Sequence, residues 1–396
     1  MDRLPDGPSP GGAPSGAAGR LRPMVFTGTG GEYFRIWIVN LLLSILSLGV
    51  YSAWAKVRRQ RYFHRNTRLA GSAFDYHARP SAILLGRIVA IGVLVVFVIA
   101  AELEPLAALA LLFAYLLALP WIVHRALRFR HANTSWRGIR FGFLGTVGQA
   151  YRALMLPVLA WILLLGIAVA IALWRESELM LALLLPVAGI GSYALLPLLH
   201  HRLKRYHHGN ACLGMLPARF AARVGSFYGV YLRSALLAVA VVLGFFLLLA
   251  TVIVAIGGIG NAIEVAASAP RGGPALAGLG ILAAVGFWLA WMVVRPYFLV
   301  RTQNLVWNRT RIGPHRFVSR LKVHRLWAIR MSNLVLVMAT LGLFLPFAKV
   351  RIVHYRLQSV EVAVLGDLDR IVGGEREQVA AFGEEAADLF DLDIGI

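Results

Sequence analysis

Long apolar runs alternate with short polar stretches along most of the chain. Six of these runs are about 20 residues long and carry almost no charge, which is the length a helix needs to cross the hydrocarbon core of a bilayer. Two further runs, the first and the last, are shorter or more polar, because Asn40 lies in one and Asn333 and Pro346 lie in the other. The pattern predicts an all-α polytopic integral membrane protein with repeated helical hairpins, six full spans and two short segments. The eight apolar segments lie at about 36–55, 83–101, 106–123, 154–174, 179–199, 235–256, 275–294 and 332–348.

Composition agrees with a membrane location. Hydrophobic residues make up 59% of the chain and charged residues only 15%, whereas soluble domains carry about 25% charged residues. Lys and Arg number 40 against 19 Asp and Glu, an excess that would also suit nucleic acid. The basic residues flank the apolar segments, however, where the positive-inside rule places them. We therefore expect no nucleic-acid partner and predict membrane lipid, of the anionic kind, as the partner of this charge.

The distribution of charge assigns the sides of the membrane. Lys and Arg concentrate in four regions, 55–80, 124–152, 200–223 and 295–330, and Asp75 is the only acidic residue within them. The loops between these regions are short and mostly acidic. This asymmetry predicts that the four basic regions are cytoplasmic in a multi-pass protein of the bacterial inner membrane.

A short motif recurs in the basic regions. Each apolar unit starts with a Phe, a small residue two positions later and an aromatic residue eight positions later, and it ends with an aromatic residue followed four positions later by Asn. Agreement at several registers indicates an internal repeat. Two of the asparagines begin Asn-Thr-x-x-x-Gly stretches, which predict turns followed by short strands in small cytoplasmic hairpins. The start motifs are Phe26, Gly28, Phe34; Phe143, Gly145, Tyr151; and Phe220, Ala222, Tyr228, and the end motifs are Tyr62, Asn66; Phe129, Asn133; and Tyr206, Asn210.

The same motifs bear on the two short segments. Three units hold two apolar segments between a start and an end motif, whereas the first and the last units hold one. If the motifs face one compartment, the single segment must return to the side from which it came. Gly49 and Gly342 are placed to break these segments, and such irregular backbone is tolerated in a membrane only where protein or water covers it. Two re-entrant segments and eight plain spans both remain open.

At these motifs the chain resembles the YjgN family of bacterial inner-membrane proteins, which has no assigned biochemical function. The resemblance covers most of residues 24–360 and implies an inner-membrane location in a Gram-negative-type cell. It transfers no catalytic or binding residues. It rests on Phe26, Gly28, Glu32, Phe34, Ile36, Trp37, Asn40, Leu48, Gly49, Tyr51, Trp54, Ala55, Lys56, Val57, Arg58, Arg61, Tyr62, Asn66 and Thr67, and on Asn133, Thr134, Ser135, Trp136, Arg137, Gly138, Phe141 and Phe143.

Signatures of catalysis and cofactor binding are missing from the sequence. There is no phosphate-binding loop, HExxH or GxSxG motif, and the six long spans contain no carboxylate for a proton relay. Cys212 is the only cysteine, which excludes an intrachain disulfide. We expect no enzyme activity, no cofactor and no metal. Glu32 and its repeat counterpart Gln149 favour a helix-start role over proton handling. The histidines His200, His201, His207 and His208 are expected to be interfacial side chains rather than metal ligands.

Two polar features are candidate sites. Asn40 and Asn333 occupy equivalent positions in the two short segments, and a buried amide needs a hydrogen-bond partner. They either pack structurally or form a polar centre along a substrate path. The basic, aromatic helix after each asparagine would suit a lipid phosphate or another anion, or would serve as an interfacial anchor. The candidate headgroup contacts are Lys56, Arg58, Arg61, Tyr62, Lys349, Arg351 and Tyr355.

The two ends of the chain differ from its membrane domain, residues 24–360. Residues 1–23 are rich in Gly and Pro and predict a disordered tail rather than a signal peptide. Residues 361–396 form an acidic tail, expected to be cytoplasmic, which could fold back onto the basic inner face. The function favoured is transport or handling of an amphiphile or small solute, because broken segments in corresponding units are typical of transporter sites. A non-catalytic membrane scaffold or anionic-lipid-binding protein is the alternative.

Overall fold

The computed structural model describes residues 20–268 and 273–365. Ten helices and ten strands follow one another in this part of the chain. The acidic tail predicted from residue 361 lies mostly outside it, as do residues 1–19. The helices are α1 (Gly30–Leu46), α2 (Ser52–Arg65), α3 (Pro80–Leu103), α4 (Pro105–Ala132), α5 (Val147–Trp174), α6 (Glu178–Gly209), α7 (Val224–Ser268), α8 (Gly273–Asn308), α9 (Val323–Ala339) and α10 (Leu345–Gln358). The strands are β1 (Arg20–Phe26), β2 (Thr67–Leu69), β3 (Ser72–Tyr76), β4 (Thr134–Trp136), β5 (Ile139–Phe143), β6 (Ala211–Leu213), β7 (Leu216–Phe220), β8 (Thr310–Ile312), β9 (His315–Ser319) and β10 (Val360–Val364).

The ten strands form one closed antiparallel barrel, so the prediction of an all-α fold is wrong. Each strand pairs with the strands before and after it, and β1 pairs with β10 to complete the circle. Arg20 opposite Val364 is part of this closing pair, so Arg20 to Pro23, predicted to belong to the amino-terminal tail, are strand residues. The sequence indicated short hairpins after Asn66 and Asn133. It could not indicate that these hairpins pair with one another, because pairing between distant strands leaves no local pattern.

Every helical hairpin leaves the barrel from one strand and returns to the next. The residue after the first strand of each unit donates a backbone hydrogen bond to the residue at the end of the returning helix, which fixes both ends on the same side. At the opposite end of the barrel, tight turns join the units. Ala70 and Gly71 have φ of 48° and 80°, and Arg137 and Gly138 have φ of 53° and 83°, as in type I′ hairpins. The five closing bonds are Thr27 N to Asn66 O (2.9 Å), His77 N to Asn133 O (2.9 Å), Leu144 N to Asn210 O (2.7 Å), Ala221 N to Arg309 O (2.9 Å) and Arg320 N to Ser359 O (2.9 Å).

The helices form a single ring above the barrel. Each packs mainly against the helix before it and the helix after it, and α10 packs against α1. Helices α3 to α8 supply six stretches that are long and apolar enough to cross a membrane. The pairs α1–α2 and α9–α10 are short hairpins instead. Their strands β1, β2, β9 and β10 all lie in the barrel, so in this structure both short segments return to the barrel side.

The largest cluster of buried apolar residues in the described part of the chain lies inside the barrel. Met24, Leu69, Trp136, Ile139 and Val362 belong to it. Strand alternation explains this arrangement, because successive side chains point to opposite faces. In β7, for example, Leu216 and Ala218 line the interior, whereas Arg219 is exposed. The barrel therefore has an apolar inside and a basic outside.

Candidate functional site

The barrel encloses a cavity of about 290 Å³. Its wall is mostly apolar, and the polar residues in it are Trp136, Trp307, Thr310 and the histidines His131, His207, His208 and His315. Trp136 Nε1 donates to the Ser72 carbonyl at 3.3 Å, and Thr310 Oγ1 donates to the Val306 carbonyl at 2.7 Å. His315 Nδ1 accepts from Leu365 N at 3.3 Å, whereas the buried Nε2 of His131, at the boundary with the neighbouring space, has no partner among the described residues. An apolar group beside Trp136 and Thr310 would therefore leave their polar atoms paired. The apolar residues of the wall are Met24, Leu69, Phe74, Ile139, Phe141, Ala211, Leu213, Leu216, Ala218, Ile312, Phe317 and Val362.

A larger chamber of about 840 Å³ lies between the barrel and the ring of helices. Among the described residues that line it, the charged ones are Lys56, Arg130 and Arg356, and no carboxylate is present. They come from α2, α4 and α10. We call this space the basic chamber. Met24, Phe74, His131, Phe141 and Trp307 line both the chamber and the barrel cavity, so the two spaces adjoin.

Among the described lining residues, no carboxylate offsets the positive charge of Lys56, Arg130 and Arg356. The pKa of Lys56 is lowered by burial and by the neighbouring charges of Arg87, Arg59 and Arg130. Burial also lowers the pKa of Arg356, whose Nε donates to Gln303 Oε1 at 2.7 Å. Like charges that share a partly buried space repel one another, and an anion placed among them removes that penalty. The chamber thus favours an anionic group.

Histidines surround the junction between the chamber and the barrel. The His131 and His207 rings lie 5.3 Å apart, the His207 and His208 rings 4.6 Å apart, and His208 lies 6.0 Å from the Trp307 ring. His64, a further chamber residue, has a pKa lowered mainly by burial. Within residues 20–268 and 273–365, no group of three His, Cys, Asp or Glu side chains could hold a metal ion. His131, His207 and His208 line the barrel cavity and form an amphipathic rim at its mouth.

The two predicted asparagines are both buried, and no hydrogen bond joins them in the described part of the chain. Asn333 Nδ2 donates to the Ala348 carbonyl at 3.1 Å, and Arg351 Nη1 donates to Asn333 Oδ1 at 2.7 Å. The buried Oδ1 of Asn40, in contrast, has no hydrogen-bond partner. Asn333 thus ties α9 to α10, while Asn40 is held in the first hairpin without using its oxygen.

Of the predicted headgroup contacts, Lys56 lines the chamber. Arg58 is exposed and is not among the residues that line it. Several of the others hold the fold together: Arg61 Nε donates to the Tyr76 carbonyl at 3.2 Å, and Arg351 binds Asn333. The hydroxyls of Tyr62 and Tyr355 donate to the carbonyls of Thr29 (2.8 Å) and Lys322 (3.2 Å), the residues before α1 and α9.

The structure also shows the surroundings of Lys349, Glu32 and Gln149. Lys349 Nζ lies over the rings of Phe63 (5.3 Å) and Tyr33 (5.8 Å). The helix-start role of Glu32 and Gln149 is confirmed, since they complete capping boxes with Thr29 and Thr146.

Sequence reasoning missed Arg130 and Arg356, which the chamber brings together with Lys56. The two arginines share a sequence position, because each lies three positions before the residue that caps the end of its helix, Asn133 or Ser359. It also missed the barrel cavity. His207 and His208 were predicted to be interfacial, and they lie at the mouth of that cavity.

Comparison with known proteins agrees with this architecture. Residues 22–389 match the family described as "Bacterial protein of unknown function (DUF898)". Inner membrane protein YjgN of Salmonella typhimurium is 27% identical over 370 residues, 88% of this chain and 89% of the relative. Proteins of the same name from Escherichia coli O157:H7 and K12 are 31% identical over 138 residues and 32% over 121, covering 34% and 30% of each chain. No solved structure matches the chain.

The resemblance to the YjgN family is thereby confirmed. Six membrane-capable helices and inner-membrane relatives together establish a multi-pass protein of the bacterial inner membrane. The chain is similar to the Salmonella inner membrane protein YjgN along most of both chains, and it belongs to the DUF898 family of bacterial proteins.

Proposed function

We propose that this protein binds an anionic amphiphile of the bilayer and handles it at the basic side of its helix ring. The observation that supports the proposal is the basic chamber, whose charged lining residues Lys56, Arg130 and Arg356 are all cations and which adjoins an apolar cavity. An anionic headgroup would be held by these side chains. The apolar part of the same molecule would lie in contact with apolar protein surface.

The long helices favour an amphiphile over a small polar solute. A water-filled path needs polar groups along its wall. In α3, four consecutive side chains, Val93 to Val96, are each at least 50% exposed. Four consecutive residues point to all sides of a helix, so apolar surface faces both outward and towards the ring interior. Hydrocarbon chains fit such a surface, and the handling that we propose is transfer or presentation of an amphiphile rather than conduction of a solute.

The proposal is tested by removing the chamber cations from the full-length protein. In Lys56→Gln/Arg130→Gln/Arg356→Gln, each lost cation is expected to weaken binding by about 1 kcal/mol, so affinity for anionic lipid falls on the order of a hundredfold. The measurement is mass spectrometry of lipids that copurify with the protein, followed by titration of phosphatidylglycerol onto protein in nanodiscs.

The matched control removes the same charge from the same helices or their neighbours. Arg58, Arg128 and Arg325 are exposed and do not line the chamber. Arg58→Gln/Arg128→Gln/Arg325→Gln should retain binding close to that of the unmodified protein. Equal losses in both triple variants would mean non-specific attraction, and no loss in either would favour the membrane scaffold.

A further inference from the structure

The barrel cavity adjoins the basic chamber but is enclosed on its sides by the closed ring of strands. Its strands are hydrogen-bonded to their neighbours around the whole circumference, with β1 and β10 completing the wall. A bound molecule therefore cannot enter sideways between strands. The side chains at its boundary with the chamber include His131, Phe141 and Trp307, so an occupant that reaches in from the chamber passes these three.

The size of this compartment limits what it can hold. Its volume of about 290 Å³ corresponds to roughly ten groups the size of a water molecule, each of which takes about 30 Å³. One hydrocarbon chain of about ten carbons has this bulk. Two chains of that length side by side, as in a diacyl lipid, would need about twice this volume. Most of the wall is apolar, and Trp136, Thr310 and His315 have hydrogen-bond partners within the protein.

The mouth has the chemistry expected where a chain meets a charged head. Indole and imidazole rings are apolar over most of their surface and polar at one edge. Trp307 and His208 lie together there, with ring centroids 6.0 Å apart. Beyond them, Arg130 and Arg356 line the chamber. Along the path from barrel to chamber, the lining thus changes from apolar to amphipathic to cationic.

From this sequence of surfaces we infer that the barrel interior binds the chain of a single-chain anionic amphiphile whose head lies among Lys56, Arg130 and Arg356. The inference rests on the proposed function and narrows its substrate class. The head is a carboxylate or a phosphate, so a fatty acid and a lysophospholipid share the required chemistry. A diacyl lipid can place its head in the chamber only with its chains left in the bilayer.

Photo-crosslinking from the end of the chain tests the inference directly. The full-length protein in nanodiscs is exposed in turn to dodecanoate, to a lysophosphatidylglycerol and to diacyl phosphatidylglycerol, each with a diazirine at the chain end. Labelled peptides are then identified by mass spectrometry. Both single-chain probes are expected to label barrel strands, such as β4 and β5 around Trp136 and Ile139 or β8 around Ile312. The diacyl probe is expected to label the long helices.

Two matched substitutions place the label inside the barrel rather than near it. Ala218 is 4% exposed and lines the cavity, whereas Ala73 is an exposed strand residue of the same barrel that does not line it. Ala218→Phe fills part of the cavity and should reduce barrel labelling by the single-chain probes at least tenfold. Ala73→Phe adds the same ring outside and should leave it unchanged. Ala218→Leu provides a smaller step if the larger ring impairs folding.

The outcomes separate this inference from the proposal on which it rests. If only one single-chain probe labels the barrel, that probe identifies the head that is accepted. Labelling of the long helices by all three probes would overturn the barrel site while leaving an amphiphile bound at the chamber. Labelling of the barrel by the diacyl probe would overturn the selectivity for one chain. Absence of labelling and of lipid retention together would overturn the proposed function itself.

Discussion

The two short helical hairpins have the same backbone but different polar chemistry. In both, a helix of 17 residues is followed by one of 14. Both reverse at a leucine and a glycine with positive φ: 48° and 90° at Leu48 and Gly49, and 47° and 92° at Leu341 and Gly342. The chain thus repeats its main-chain geometry closely at its two ends.

The buried asparagines mark the difference between these hairpins. Asn333 uses both ends of its amide, one on the Ala348 carbonyl and one on Arg351. Asn40 occupies the corresponding place, yet its buried oxygen has no partner, so the equivalent arginine, Arg58, does not reach it. A repeated backbone therefore does not imply a repeated polar site. Asn333 is part of the packing of its hairpin, whereas Asn40 contributes a cost that its hairpin tolerates.

Replacing each asparagine by leucine should give the largest contrast. Asn333→Leu removes a hydrogen bond to a backbone carbonyl and one from a charged guanidinium, and we expect it to lower the free energy of unfolding by about 2–3 kcal/mol. Asn40→Leu removes an unpaired buried oxygen and should be neutral or stabilising. The measurement is the unfolding midpoint of each full-length variant in detergent, followed by tryptophan fluorescence.

Retention of anionic lipid is a second measurement for the two asparagine variants. If Asn40→Leu inserts and unfolds normally but loses retention of anionic lipid, Asn40 lies on a ligand path. Asn40 would then have a role beyond the packing of its hairpin. Equal destabilisation by the two variants would mean that the unpaired oxygen of Asn40 has a partner in the membrane, such as water or lipid.

Much of the membrane part of the fold could be predicted from the sequence, and the barrel could not. Six apolar stretches near the length of a span, with basic residues at one set of ends, determine the long helices almost without tertiary information. The strands are only three to seven residues long. A pattern such as Ile139, Phe141, Phe143 indicates a strand, but the residue that pairs with Phe141 on the neighbouring strand, Leu213, is 72 positions away. Closure is a property of all ten strands together.

The candidate site was predictable to a similar, partial degree. Lys56 was identified because it follows a short apolar segment and precedes an aromatic residue. Arg130 and Arg356 each lie three positions before the C-cap of their helix, but that spacing does not show that the two side chains share a space. Only the ring of helices brings one arginine from α4 and one from α10 into the same chamber as Lys56. Tyr62 and Tyr355 were predicted as headgroup contacts from their place in a basic, aromatic helix. In the structure their hydroxyls donate to the backbone carbonyls of Thr29 and Lys322.

Substitution of the turn glycines should give a smaller effect, equal in the two hairpins. Alanine at φ near 90° is strained by its Cβ, and we expect Gly49→Ala and Gly342→Ala each to lower the free energy of unfolding by about 1–2 kcal/mol. Neither position is crowded, since the nearest atom beyond the neighbouring residues is 3.9 Å from a Cβ at Gly342 and none lies within 4 Å at Gly49. Unequal losses of stability, measured by the same unfolding midpoints, would show that the two turns differ in their surroundings. Gly31→Ala, at a helical position with open space around it, is the control and should change little.

Lys349 is only partly buried, and solvent screens much of its charge. The smallest expected effect is therefore a dependence of stability on pH that distinguishes Lys349 from its counterpart Lys56. Burial, and to a lesser extent Arg59, lowers the pKa of Lys349 to about 8, whereas an unfolded lysine titrates near 10.4. Between these values the unfolded chain binds more protons than the folded one. Stability therefore rises as pH increases from about 8 to about 10.4, and it does not change through this group below pH 8.

Lys349→Met should remove that part of the rise in unfolding midpoint. Lys56→Met should remove less, since Lys56 faces the more accessible chamber. Superimposable profiles for the two variants would place both lysines in the same environment.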